Sequence, residues 1–254
     1  MCFALLALNQ HPEYPLILAA NRDEFYARPA LAMHEWQDTD GVIGGRDLES
    51  MGSWLALNRH DLRFALVTNV REGAPVAGER SRGLLIRDLV DSTLPVREGL
   101  AVLQAEQAAY AGFNVLAGNL NGQMYYFSNR HQADMTTLSS GLHALSNARL
   151  DTPWPKVVRG KQRLAALLMA GEVTPEALFA ILADNETAPD EQLPQTGVGL
   201  AKERWLSPLF INNPEFGYGT RCSTLILAGA DGKVELFERT FEHGKALAEV
   251  GLVL

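Results

Sequence analysis

Apolar positions come in short blocks over the first third of the chain. Cys2 to Leu8 is an apolar run too short for a helix, bounded by the turn-like stretch Asn9 to Pro15, and Leu16 to Asn21 is a second. The pair predicts a hairpin whose connection carries Pro12 and Pro15. Gly41 to Gly45 and Ser53 to Asn58 predict strands around the Gly44-Gly45 turn, and Arg63 to Val70 predicts another after Arg59-His60-Asp61. Several of these runs are apolar at successive positions, as in a sheet covered on both faces. The period then changes. Ser81 predicts the cap of a helix to Ser92, with Leu84, Leu85, Asp88, Leu89 and Val90 giving an amphipathic face. Pro95 suits the first turn of a second helix to about Ala109. Strands return at Phe113–Leu120 and Gln123–Asn129 about the Asn121-Gly122 turn. Thr136–Ser139 and Leu142–Ser146 predict a further hairpin. Pro155 to Ala170 predicts a helix ended by Gly171, and Thr174 caps another to about Asp184. Ser223–Leu227 and Val234–Thr240 predict a closing hairpin.

Helices in pairs between hairpins argue against a parallel βαβ sheet. They suit a layered α+β fold with antiparallel sheets in the middle and helices outside. No internal repeat or domain boundary interrupts residues 1–254, which predicts a single domain. Asn185 to Glu203 is the least apolar stretch, with Pro189, Pro194 and two glycines. It reads equally as a functional cover or as a solvated linker.

Length and charge narrow the partners. A chain of 254 residues buries a sizeable core without disulfides or metals. The net charge is −8 and the pI about 5.3, which disfavours nucleic acid and anionic membrane surfaces. No apolar run approaches the ~18 residues of a membrane span, so no integral membrane association is expected. The N-terminus lacks the basic start of a signal peptide. Cytoplasmic residence is therefore the expectation, and there the two cysteines, Cys2 and Cys222, need not pair.

Four groups of residues can carry chemistry. Removal of Met1 would leave Cys2 with a thiol and an α-amine, a nucleophile with its own base. The plain alternative is a small buried side chain on the first strand. Asn21-Arg22-Asp23-Glu24 ends an apolar strand. Buried there, these groups must be paired or line a cavity; otherwise they form a solvated turn. Arg22 could lower the thiol pKa or hold an anion, and Asp23 could orient an amine. Asn69 and Asn147 each terminate an apolar run and can donate to an oxyanion, or can be ordinary turn residues. Arg221 opens the last apolar strand, with Cys222 facing the opposite way. The six histidines show no zinc spacing, and no metal site is expected.

In order along the chain stand Met1-Cys2, Asn21-Arg22-Asp23-Glu24, Gly44-Gly45-Arg46-Asp47, Gly52-Ser53-Trp54-Leu55, Thr68-Asn69 with Arg71, Ser81-Arg82-Gly83, Leu145-Ser146-Asn147 and Gly219-Thr220-Arg221. This ordered set resembles the NRDE family, also called the transport and Golgi organisation protein 2 family. Met51 departs from it, in a turn where the family pattern leads one to expect Gly. The resemblance implies a four-layer αββα sandwich of the N-terminal-nucleophile (Ntn) hydrolase type, similar to choloylglycine hydrolases. It implies an amidohydrolase or acyltransferase acting on a linear amide. Cys2 would attack, Arg22 and Asp23 would tune and orient it, Asn69 and Asn147 would serve the oxyanion, and Arg221 would support the site. Asn21, Glu24, Trp54 and Arg71 would line the ligand. In those hydrolases the Arg and Asp are three positions apart, whereas Arg22 and Asp23 are adjacent. On a strand, either Arg22 or the pair Asn21 and Asp23 then faces Cys2. The family also implies handling of haem or an acyl lipid by a non-catalytic carrier. The expected partner is a small-molecule substrate or such a ligand; no cofactor is required, and haem enters only as a ligand.

Overall fold

The computed structural model describes residues 2–74, 78–130 and 134–254. Its strands form two seven-stranded sheets in which every pair is antiparallel. The first sheet contains β1 (Cys2–Leu8), β2 (Leu16–Phe25), β10 (Gly141–Leu145), β12 (Tyr218–Ala228), β13 (Val234–Glu242) and β14 (Lys245–Val253). They lie in the order β10-β1-β2-β12-β13-β14, and the short β11 (Asn212–Asn213) pairs with β12. The second sheet runs in chain order through β3 (Ala30–Glu35), β4 (Val42–Asp47), β5 (Leu55–Asn58), β6 (Arg63–Asn69), β7 (Phe113–Asn119), β8 (Met124–Ser128) and β9 (Thr136–Thr137). The helices are α1 (Arg82–Val90), α2 (Val96–Ala105), α3 (Pro155–Ala170), α4 (Pro175–Leu182) and α5 (Leu200–Trp205).

Strand alternation sorts most of the apolar side chains into three large cores, beside a small cluster of Leu206, Ile211 and Tyr218. Ala4, Leu6 and Leu8 of β1 pack with Leu18 and Ala20 of β2 against Leu57, Phe64, Leu66 and Leu116 of the second sheet. Phe3, Leu5 and Ala7 point the other way, onto Val157 and Leu164 of α3 and Leu178 and Leu182 of α4. The outer face of the second sheet, with Ala65, Val67 and Val115, packs on Leu85, Ile86 and Leu89 of α1 and Leu100 and Leu103 of α2. This is why both sheets read as apolar at successive positions: each is covered on both faces.

Local signals hold where the chemistry is local. Ser81 caps α1 by accepting from the Gly83 N–H. Thr174 caps α4, and Gly171 ends α3 in the left-handed conformation at φ 68°. Other expectations change. The hairpin expected of Thr136–Ser139 and Leu142–Ser146 does not form: β9 pairs with β8 and β10 pairs with β1, in different sheets. β2 does not stop at Asn21 but continues to Phe25, so the polar tetrapeptide lies within the strand. The second helix ends at Ala105, before a 3-10 turn at Gln107–Ala109. Three strands have no sequence signal: β3, β14 and the short β11, in a stretch that reads as a loop. The stretch from 185 to 203 is not free chain: it holds a 3-10 turn at Asp190–Gln192 and runs into α5. Among the described residues no helix is long and apolar enough to cross a membrane.

Candidate functional site

Cys2 begins β1 on the face shared with Ala4 and Leu6, so its thiol points between the sheets. In the antiparallel register Cys2 stands opposite Arg22, which resolves the face question for Arg22. Asn21 and Asp23 point to the helical side instead. Cys2 is partly exposed in a cleft of about 140 Å³ whose walls include Arg22, Asp23, Glu24, Asp47, Trp54, Asn69 and Arg82. Asp23 reaches this lining because the sheet is irregular next to it, with the β2–β12 register slipping between Thr220 and Cys222.

Each polar group of the cleft has a distinct environment. Arg22 is buried, donates to Asp47 at 3.0 Å and lies 4.3 Å from the centre of the Trp54 ring. Its Nη1 has no hydrogen-bond partner among the described residues. Arg28 also holds Asp47, at 2.6 and 3.1 Å, and Asp47 accepts from the backbone N–H groups of Glu49 and Ser50. Burial opposes the charge on Asp47, but the Arg28 hydrogen bond and its companions keep the carboxyl below its ordinary range. Asp23 accepts from the Thr220 hydroxyl at 2.7 Å, and the Tyr218 hydroxyl donates to its backbone carbonyl at 2.9 Å. Burial pushes the Asp23 carboxyl up, and Lys156 pulls it down. Burial also raises the Cys2 thiol, the Asp23 charge adds to this, and Arg22 opposes it.

The two asparagines divide their work. Asn69 lines the cleft. The buried Asn147 stands behind it, and its Nδ2 donates to both the backbone carbonyl and the Oδ1 of Asn69 at 3.0 Å. Asn147 therefore fixes the orientation of Asn69, whose own Nδ2 remains the donor at the wall. The other sequence candidates lie outside the lining. The Asn21 amide donates to the carbonyls of Leu182 and Leu209, both at 2.9 Å, and ties β2 to the helical layer. Arg221 is the extra residue at the register slip, and its Nη1 donates to the carbonyls of Phe25, Tyr26 and Arg28. Arg71 pairs with Glu203 at 2.6 Å and lies 4.6 Å from the centre of the Trp154 ring. Cys222 is buried, its thiol pushed well above the ordinary value by that burial. It shares the inter-sheet side with Arg22, so it is a packed side chain.

Two participants have no motif in the sequence. Glu203, in the stretch that read as cover or linker, is 3% exposed and also accepts from the Thr196 N–H and hydroxyl. Lys156, the second residue of α3, is 1% exposed, and its Nζ makes no hydrogen bond among the described residues. Burial, then the nearby Arg71, lowers Lys156 to about 7, while Asp23, Cys2 and Glu203 act in the opposite sense. A lysine directly after Pro155 at a helix start, where a cation is mildly disfavoured, is too weak a signal to single it out. Among the described residues no group of three or more His, Cys, Asp or Glu side chains is placed to hold a metal ion.

A second, larger cleft of about 810 Å³ opens at the other end of β1 and β2. Leu8, Leu16, Leu120, Met124 and Leu138 contribute apolar surface, and Asn9, Asn121 and Gln123 contribute amides.

Comparison with known proteins agrees with the motif order. The Transport and Golgi organisation 2 family model matches residues 1–243. A transport and Golgi organization protein 2 homolog of Bos taurus is 33% identical, over 94% of this chain and 93% of the relative. The Homo sapiens homolog is 31% identical over the same shares. The Drosophila melanogaster transport and Golgi organization protein 2 is 29% identical, over 94% of this chain and 92% of the relative. On a match of this extent, the chain belongs to the Transport and Golgi organisation 2 family.

Proposed function

We propose that the protein is a cysteine amidohydrolase or acyltransferase of the N-terminal-nucleophile type, acting on a linear amide at Cys2. The observation that carries this reading is the placement of the Cys2 thiol in a cleft opposite Arg22, with the Asn69 amide in the same wall. Two sheets packed face to face with helices on each outer face support the four-layer αββα sandwich that this class uses. After removal of Met1, the α-amine of Cys2 takes the thiol proton. The sulfur attacks the amide carbon, a C–S bond forms, and the carbonyl oxygen becomes an oxyanion held by Asn69. The proton passes to the leaving amine as the C–N bond breaks. Water, or an acceptor amine in the transferase version, then cleaves the thioester. Asp23 and Arg22 supply the opposed charges beside the nucleophile, and Asn147 holds Asn69 in place.

The relatives' names concern transport and Golgi organisation, and one observation favours a carrier as the second reading. The 810 Å³ cleft at the far end has the size for a larger ligand such as haem or an acyl lipid. The separating experiment is a screen of linear amides with wild type and Cys2→Ala, alongside titration with haem. Turnover by wild type and none by Cys2→Ala is the expected result. Turnover unchanged in Cys2→Ala overturns the hydrolase reading. A shift in the haem spectrum with no turnover overturns it in favour of the carrier.

A further inference from the structure

Ser81-Arg82-Gly83 belongs to the ordered motif set, yet neither the nucleophile nor the oxyanion donors account for its arginine. The start of α1 brings Arg82 into the lining of the Cys2 cleft. Three guanidinium groups line that cleft, and two are committed. Arg22 and Arg28 both bind Asp47, and Arg28 also pairs with Glu49 at 2.7 Å. Arg82 has no carboxylate partner among the described residues; its one hydrogen bond runs from Nη1 to the Gly112 carbonyl at 2.9 Å. Glu24, in the same wall, accepts from the N–H of Phe25 at 2.9 Å through Oε1 and makes no ion-pair contact with Arg82. Glu24 and Glu72 act on this half-buried guanidinium only from a distance, with no ion-pair contact among the described residues, which leaves it N–H groups to offer a ligand's charge. Burial is also what lowers Arg82 from its ordinary value. Arg22 adds an independent sign: its buried Nη1, in the same cleft, has no hydrogen-bond partner among the described residues.

We infer that Arg82 is a specificity-determining residue that binds a carboxylate on the molecule held beside the Cys2 thiol. The inference rests on the reading of this cleft as the reactive site, and it narrows the substrate class to amides carrying a carboxylate near the reacting carbon. A guanidinium presents two parallel N–H groups to such a carboxylate. A role limited to stabilising the Cys2 thiolate is the competing explanation, because Arg82 and Cys2 lie within electrostatic reach of one another.

Alkylation of Cys2 separates the two. Iodoacetate and iodoacetamide react by the same step: the thiolate sulfur bonds to the methylene carbon, iodide leaves, and the thiol proton goes to buffer. Only iodoacetate carries a carboxylate. The ratio of their rates cancels the thiolate fraction. Rates at Cys2 are followed by peptide mass mapping and compared with glutathione at the same pH. The expected iodoacetate-to-iodoacetamide ratio exceeds that of glutathione by about tenfold, the worth of one charge-assisted contact. Arg82→Gln should bring it to the glutathione value, and Arg82→Lys, which keeps the charge, should retain much of the preference. A wild-type ratio equal to that of glutathione, or an equal loss of both rates in Arg82→Gln, overturns the inference and leaves amide hydrolysis at Cys2 standing. Failure of both reagents to reach Cys2 overturns the inference and the hydrolase reading together.

Discussion

Lys156 has its ammonium group buried within electrostatic reach of Asp23, Arg71, Cys2 and Glu203. The chain has five lysines, and this is the one among the buried polar residues. Its folded value of about 7 lies below the ordinary 10.5. Below about pH 7 it is charged in both folded and unfolded chain, and its burial cost is fully present. Between about 7 and 10.5 only the unfolded chain holds the proton, so this group's contribution to stability rises with pH. Lysine-selective carbon-13 NMR should show one of the five side chains titrating near pH 7, absent in Lys156→Met. Titration of all five above pH 9 would contradict the placement. Cys2, Arg22, Asp23 and Asn69 were legible as residues because charged or amide groups at the ends of apolar runs demand a reason. Lys156 was not, since one lysine at a helix start looks like any surface lysine until the sheet beneath it is known. The supporting position of Asn147 was equally hidden, because two asparagines on separate runs carry no sign of which one backs the other.

At the scale of elements, what the sequence shows and what it hides divide along local and non-local chemistry. Caps at Ser81 and Thr174 and the glycine stop at Gly171 depend on neighbours a few residues away, and those helices stand where they were expected. Strand pairing depends on partners far along the chain. The first half of β14, with lysine, alanines and glutamate, has little β propensity; the strand is held by pairing with β13 and by Val250 and Leu252 packing on the inter-sheet core. The register slip that makes Arg221 an extra residue has no sequence signature. Met51 does have a local explanation: it adopts φ 53°, the left-handed conformation that favours glycine. Gly45 likewise answers to a neighbour, because a Cβ there would lie 2.1 Å from the Trp54 ring that carries Arg22. The stretch from 185 to 203 is pinned by Glu203, which joins Arg71 to Thr196. Removing one partner of a buried pair strands the other, so Glu203→Ala should cost about 3–5 kcal/mol in urea unfolding. Glu203→Gln, which keeps hydrogen-bonding capacity, should cost less. A loss under about 0.5 kcal/mol for Glu203→Ala, the range of ordinary surface substitutions, would mean the stretch is an independent linker.

For the whole molecule, the order of hairpins and helix pairs was enough to expect antiparallel sheets with helices outside. The reason is topological: short connections keep sequential strands adjacent, and most of both sheets follows chain order. The exceptions, β10 beside β1 and β12 beside β2, close the first sheet from distant segments. Those closures bring Asn147, Thr220 and Tyr218 around Asp23 and Asn69 and complete the site. The central claim is that Cys2 acts as an N-terminal nucleophile, and this requires that its own amine be free. The most direct test is the intact mass of the untagged protein purified from cells. The account predicts a mass lacking Met1. A mass that retains Met1 would contradict it, since the amine beside the thiol would then be an amide with no proton-accepting capacity.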